Sequence, residues 1–271
     1  MAYESWTVDG LPLSTVAYDI ETYDGLDDVP DLIFEDVPRA QGHGVDVGAH
    51  YFGPGRKAVS MMVSTTRPNG TTASTEDGRR AIFDANLDTL LRIFYRRKLL
   101  DVQRTLADGS VRRAWCRTVA GIKPQVVGLS AGRMTFDLQL PYSFWEDVND
   151  VTTGLQNAGT NITLSAFAAA TAPMDELEFD MFGPYNNPRL TDPETGSWVQ
   201  VNGNSNAYGT GNIILVNKTQ TVVGPSYNNV THSGDPKWLT LYPAPGGPKI
   251  TYVPGATGGT FQVRGKRKYL R

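Results

Sequence analysis

STEDGRRAIFDANLDTLLRIFYRRK, residues 74–98, is the one stretch of this 271-residue chain that reads as a long helix, and it decides the fold because strands and turns fill the rest. Ile82, Phe83, Leu87, Leu90, Leu91, Phe94 and Tyr95 recur at steps of three and four, which sets them on one stripe of a 3.6-residue period. Asp84, Asp88, Arg92 and Arg96 repeat at steps of four on another face, expected to meet water, with Asp88 ahead of Arg92 in the favourable order. Ser74 and Asp77 stand at capping-box spacing, and Arg96, Arg97 and Lys98 crowd the end where the helix dipole favours cations. The helix is therefore placed at residues 75–98. One amphipathic helix cannot bury its own stripe, so the pattern demands a sheet for it to lie against.

The rest of the chain supplies that sheet. With 28 Gly, 17 Pro and 12 Tyr, the composition is that of short strands joined by tight turns, and the chain reads as mainly β. Residues 6–21 hold two runs around the turn at Asp9 and Gly10 and predict an opening hairpin. Residues 22–48 are polar and acidic, broken by Pro30 and Pro38, and read as a long loop of the kind that is functional or ordered by a partner. A strand at residues 57–65 points Val59, Met61 and Val63 to one face. Residues 99–105 and 110–120 flank the turn Ala107, Asp108, Gly109, and residues 125–129 and 133–140 give a further pair, with Met134, Phe136, Leu138 and Leu140 inward. Residues 141–159 lack periodicity, so the boundary between a first domain, 1–150, and a second, 151–271, is set there. The second carries about eight short, evenly spaced strands, at 161–167, 176–182, 197–202, 211–218, 221–223, 237–241, 247–253 and 259–268, the rhythm of a sandwich. Its last strand can return to the first domain.

Charge and cysteine content exclude several classes. Against 28 acidic residues stand 25 basic ones, a formal net charge of -3, and no half is basic enough to bind nucleic acid by counterion release. Arg264, Lys266, Arg267, Lys268 and Arg271 form a basic tail that reads as a solvated strand end. A single cysteine, Cys116, precludes an intrachain disulfide or a cysteine-rich metal site, and in its alternating strand it reads as a small apolar residue. No apolar run approaches the roughly 20 residues that span a bilayer. The polar amino terminus is no signal peptide, so synthesis in a cytoplasm is expected.

Candidate chemistry is sparse. Asp19 and Glu21 in AYDIETYD, residues 17–24, share a strand face, as in exonucleases that hold divalent metals, and make a metal-dependent nuclease the remote reading. That chemistry needs further carboxylates from an α/β fold, and a charged strand edge explains the string more simply. His43, His50 and His232 have no ligand spacing, FGPGRK at 52–57 lacks the phosphate-loop spacing, DELEFD at 175–180 lacks a calcium loop, and there is no GxSxG. No cofactor or metal is implied, and the chain reads as a non-enzyme.

VDGLPL, HYFGPGRKAVSMMV, DANLDTLLRIF, PYSFWED, WVQVNG, WLTLYPAPGGPKITYV and RGKRKYL, in this order over nearly the full length, give the chain its resemblance. It resembles the distal tail protein, or minor tail protein, of long-tailed non-contractile bacteriophages. The resemblance implies a tail-tube-like β-sandwich or split barrel packing one helix, followed by a galectin-like, jelly-roll-like sandwich. It implies a hexameric ring at the virion tail tip, between the tail tube protein and the central hub or tail-associated protein, supporting host-adsorption components. Residues 22–48 would match an arm or belt around the neighbouring subunit. The helix face Asp84, Asp88, Arg92 and Arg96 then becomes a candidate subunit seam. A galectin-like domain also raises carbohydrate binding, on receptors or host glycans, as the alternative function; Trp198 and Trp238 are the stacking candidates, with core burial as their structural alternative.

Overall fold

The computed structural model describes residues 4–22, 28–38, 45–46, 50–119, 121–127, 131–202, 212–216, 219, 221–223, 231–234 and 239–271. The chain forms two compact units, one of Met1–Trp145 with Leu270–Arg271 and one of Glu146–Tyr269. It is mainly β, with one α-helix among the described residues.

In the first unit, strands β1 (Ser5–Val8) and β2 (Leu11–Pro12) close over Asp9 and Gly10, both at positive φ as a tight hairpin turn requires. β3 (Tyr18–Thr22) does not join that hairpin: it pairs with the long β8 (Gly55–Ser64) at the far edge of the sheet. Pro12, which has no N–H for a ladder, stands in the last pair of the opening ladder, Thr7 with Pro12. The sheet runs from β1 to β9 (Leu100–Thr105), then to β10 (Val111–Thr118) and β12 (Ala131–Leu140), which pairs with β8 over its whole length; β11 (Lys123–Val127) lies against β12. β10 bonds to β9 through Val111–Cys116 and to β12 through Arg117 and Thr118, and this change of partner along one strand curls the sheet into a half-barrel.

Helix α1 spans Glu76–Phe94, shorter at both ends than its charge pattern suggests. Thr75, rather than Ser74, is the N-cap, its hydroxyl accepting from the Gly78 amide at 3.2 Å, and the backbone leaves helical geometry at Tyr95. Ile82, Phe83, Leu90 and Phe94 are buried as their spacing demands, and the Phe94 and Phe136 rings lie 4.3 Å apart. Tyr95 departs from expectation: beyond the last turn it loses the stripe and is 81% exposed. Asn86 takes an inward position instead, its amide donating to the carbonyls of Ser64 at 2.9 Å and Thr66 at 2.8 Å. Those carbonyls lie at the end of β8 and just beyond it, and a buried amide serves better there than a leucine.

The acidic stretch is not a plain loop. β4 (Leu32–Phe34) pairs with β7 (His50–Phe52) as a two-stranded ribbon, and β5 (Val37–Pro38) pairs with β6 (Val45–Asp46). Its charges hid the apolar run Leu32, Ile33, Phe34 and the cross-strand pairing that fixes it.

The second unit is a sandwich. After β13 (Trp145–Asp147), one sheet is built from β14 (Val151–Thr152), β15 (Gln156–Asn157), β17 (Glu178–Phe182), β20 (Asn212–Val216), β21 (Thr221–Val223) and β24 (Thr260–Gly265). The other takes β16 (Gly159–Thr163), β18 (Arg189–Thr191), β19 (Trp198–Asn202), β22 (Thr231–Gly234) and β23 (Lys249–Val253). Alternation aims Phe179, Met181, Leu215, Phe261 and Val263 at Leu190, Val199, Val201, Ile250 and Tyr252 to make one core. Residues 161–167 give only the end of β16 and a 3-10 turn, Ser165–Phe167, while Leu241 makes an isolated bridge to Met174.

The basic tail is not a solvated strand end. Around β25 (Lys268–Tyr269), Arg264 pairs with Glu178, Lys266 with Glu146 at 3.1 Å, Arg267 with Asp147 at 2.6 Å and Lys268 with Asp175 at 2.6 Å. The Tyr269 hydroxyl also donates to Asp147 at 3.0 Å, making that carboxylate the centre of the cluster. Acids distant in sequence neutralise the run, which a local reading of charge cannot foresee.

Candidate functional site

No site of bond chemistry assembles among the residues proposed for one. Asp19 is exposed and accepts from the Ile20 amide, while Glu21 is held by the Arg133 guanidinium and the Ser60 hydroxyl. The hydrogen bonds from Arg133 pull the Glu21 carboxyl below its ordinary range, so it is a fixed anion already engaged. Burial pushes the Cys116 thiol far up, which makes it an inert core residue. His43 lies outside the described residues, as do the side chains of His50 and His232.

The surface that stands out is the ribbon of the first unit. Cross-strand register sets Leu32, Phe34 and Phe52 on one face and Ile33 and Tyr51 on the other. Phe52 is anchored edge-on to Phe144 at 5.0 Å, but Val29 is 56% exposed, Leu32 40%, Phe34 60% and Tyr51 49%. A two-stranded ribbon is marginal by itself.

The root of the ribbon is firmly held. Lys57 is only 2% exposed, and its ammonium donates to the Asp28 carbonyl. The Gly53 amide donates to the Asp31 carbonyl at 2.8 Å, and the Ser143 hydroxyl reaches the Phe52 carbonyl at 3.5 Å. A buried ammonium is costly unless bonded, so Lys57 specifies where the ribbon starts. The sequence signal for this surface was the three-residue apolar run inside an acidic stretch, outweighed by its flanks.

The helix residues proposed as a seam do not form one array. Asp84 pairs backward with Arg80 at 3.1 Å, while Asp88 and Arg92 are exposed and make no ion pair with each other among the described residues. Arg96 lies past the helix end and turns to Asp9 at 3.1 Å, which Lys98 also reaches at 3.1 Å. Asp9 also accepts from the Asp101 amide at 3.1 Å; these partners outweigh burial, which alone would raise its carboxyl, and leave it lowered.

In the second unit Trp198 is half-buried on the outer face of its sheet, with the Arg189 guanidinium 4.2 Å from its ring centroid. Trp238 lies outside the described residues. Arg189 carried no motif and was not singled out by sequence.

No family model and no curated protein matches the chain. Among solved structures, the crystal structure of the SPP1 Dit (gp 19.1) protein, a paradigm of the hub adsorption apparatus in Gram-positive infecting phages, aligns with a TM-score of 0.60 at 13% identity over 99% of this chain and 100% of that one. Structures of the phage p2 baseplate in its activated conformation, with strontium and with calcium, align with TM-scores of 0.38 and 0.35 at 6% identity, over 97% of this chain and 98% of theirs. The fold is thus similar, from end to end, to that of a phage Dit protein.

Proposed function

We propose that the chain is a structural protein of a bacteriophage tail tip, acting through interfaces rather than by catalysis. The observation that carries this reading is the full-length likeness of its fold to the SPP1 Dit protein, which spans both units with no large part of either chain left over. In this reading copies assemble into a hexameric ring joining the tail tube protein to the central hub and supporting host-adsorption components. The first unit, 1–150 in the sequence division, is the tail-tube-like ring former, and the second unit, 151–271, is the galectin-like sandwich. The uncovered ribbon residues Leu32, Phe34 and Tyr51 support it, because a ring subunit needs apolar surface that only a neighbour covers.

Particle imaging and sedimentation of the purified protein test the proposal, alone and mixed with the tail tube and hub proteins. Rings with a central hole as wide as a tail tube are the expected result. A monomer under all of these conditions overturns it.

A further inference from the structure

The basic side chains of the last strands in the second unit are neutralised by acids, but two cations on the outer face of its β16–β23–β18–β19 sheet are not. Arg189 and Lys249 make no ion pair, and no carboxylate lies on that face among the described residues. In a chain of net charge -3, a face with cations and no anion carries a local positive potential. The Arg189 guanidinium is stacked on Trp198, and its Nε is buried with no hydrogen-bond partner. Stacking fixes the plane of the guanidinium without using its donors, leaving a rigid fork for an oxyanion.

Polar groups surround the fork. Register sets Gln200 directly opposite Arg189, with the Gln200 amide held by Asn202 at 3.1 Å, and sets Thr191 opposite Thr251 on the next strand. Three adjacent strands make a platform about 10 Å wide. Hydroxyls and an amide around an unpaired cation suit a polyhydroxylated anion. A protein partner would need a larger desolvated apolar centre than this face offers.

We infer that this face binds an anionic saccharide, its carboxylate or phosphate taken by Arg189 and its hydroxyls by Thr191, Thr251 and Gln200, while Lys249, four residues along β23 from the cross-strand partner of Arg189, adds attraction at longer range. Arg189 covers the Trp198 ring, so the indole orients the cation and is not itself the stacking surface for the sugar. The inference stands apart from the ring reading, since it concerns one sheet of one chain.

Calorimetric titration of the full chain with tetragalacturonate, mannose 6-phosphate and neutral maltotetraose is the test, at low and high salt. At least one anionic sugar is expected to bind, less tightly at high salt, with maltotetraose weaker by about tenfold or more. Which of the two anionic sugars binds assigns carboxylate or phosphate as the recognised group. Arg189→Gln and the exposed Lys249→Glu should each weaken binding, the former by about tenfold, the worth of one charge-assisted hydrogen bond. Lys249→Glu should keep the wild-type unfolding temperature, so its loss cannot be laid to misfolding. Absence of binding by both anionic sugars, equal binding of maltotetraose, or wild-type affinity in both variants overturns the inference.

Discussion

The ring of Phe83 fills the space in which a side chain at Gly132 would begin: a Cβ there would stand 2.5 Å from the ring Cζ and 2.9 Å from the Gln125 carbonyl oxygen. The helix approaches its sheet closely because β12 carries no side chain at that point. Gly132→Ala is therefore expected to lower stability by about 1–3 kcal/mol in urea unfolding. Combining it with Phe83→Leu should be clearly non-additive, because the two changes share one contact. A wild-type midpoint for Gly132→Ala would show that the contact is not made.

Asn86 supplies both of its amide hydrogens to carbonyls at the end of β8. Asn86→Leu should destabilise by about 1–3 kcal/mol despite its greater apolarity, since it strands two acceptors. Thermal melts of the two proteins read the difference directly.

Asp9 ties the end of the helix to the first hairpin, and its carboxyl is lowered in the folded protein. A carboxyl with a depressed folded pKa stabilises the fold above its unfolded value of about 3.9 and loses that contribution as pH falls through the folded pKa. Asp9→Asn retains a residue that tolerates the φ of 49° at this turn. The stability gap between wild type and variant should be present at pH 7 and shrink steadily below about pH 4. A gap independent of pH would assign the effect to the turn rather than to the charge.

Phe34→Ser combined with Tyr51→Ser tests the ribbon. Both side chains are exposed in the single chain, so unfolding should change by no more than about 0.5 kcal/mol. Assembly, measured by sedimentation, should be lost. Unchanged assembly would remove the ribbon from the interface.

Asp147 accepts from Arg267 and Tyr269 and is itself buried. Asp147→Ala should cost about 2–4 kcal/mol, most of it from leaving those donors unmatched. A loss under 0.5 kcal/mol, an order smaller than buried pairs cost, would mean that water reaches Arg267.

Much of the fold was readable because it rests on local patterns. The stripe of α1, the turn at Asp108 and Gly109, and the alternation of Met134, Phe136, Leu138 and Leu140 each carry their own period. Long-range pairing was not readable. Nothing near β3 reveals that it crosses to β8, and nothing near Arg267 names Asp147 as its partner. The ribbon lay between these cases, with its apolar residues visible at 32–34 but its pairing set by residues 50–52, beyond a long acidic interval. Arg189 could not be recognised at all, since its distinction is the absence of an acid on strands far away in sequence.

The chain leaves the first unit after Trp145 and rejoins it only at Leu270 and Arg271, where the Arg112 guanidinium meets the Arg271 carbonyl. Within the second unit, the amide of Asp147 donates to the carbonyl of Arg267 at 3.1 Å, so its entry and exit lie side by side. The second unit is therefore a cassette bounded by neighbouring backbone positions. On the ribosome, the first unit must wait for the whole cassette before its final residues emerge. Over longer times, a genetic exchange at those two positions can replace the cassette as one continuous piece of sequence.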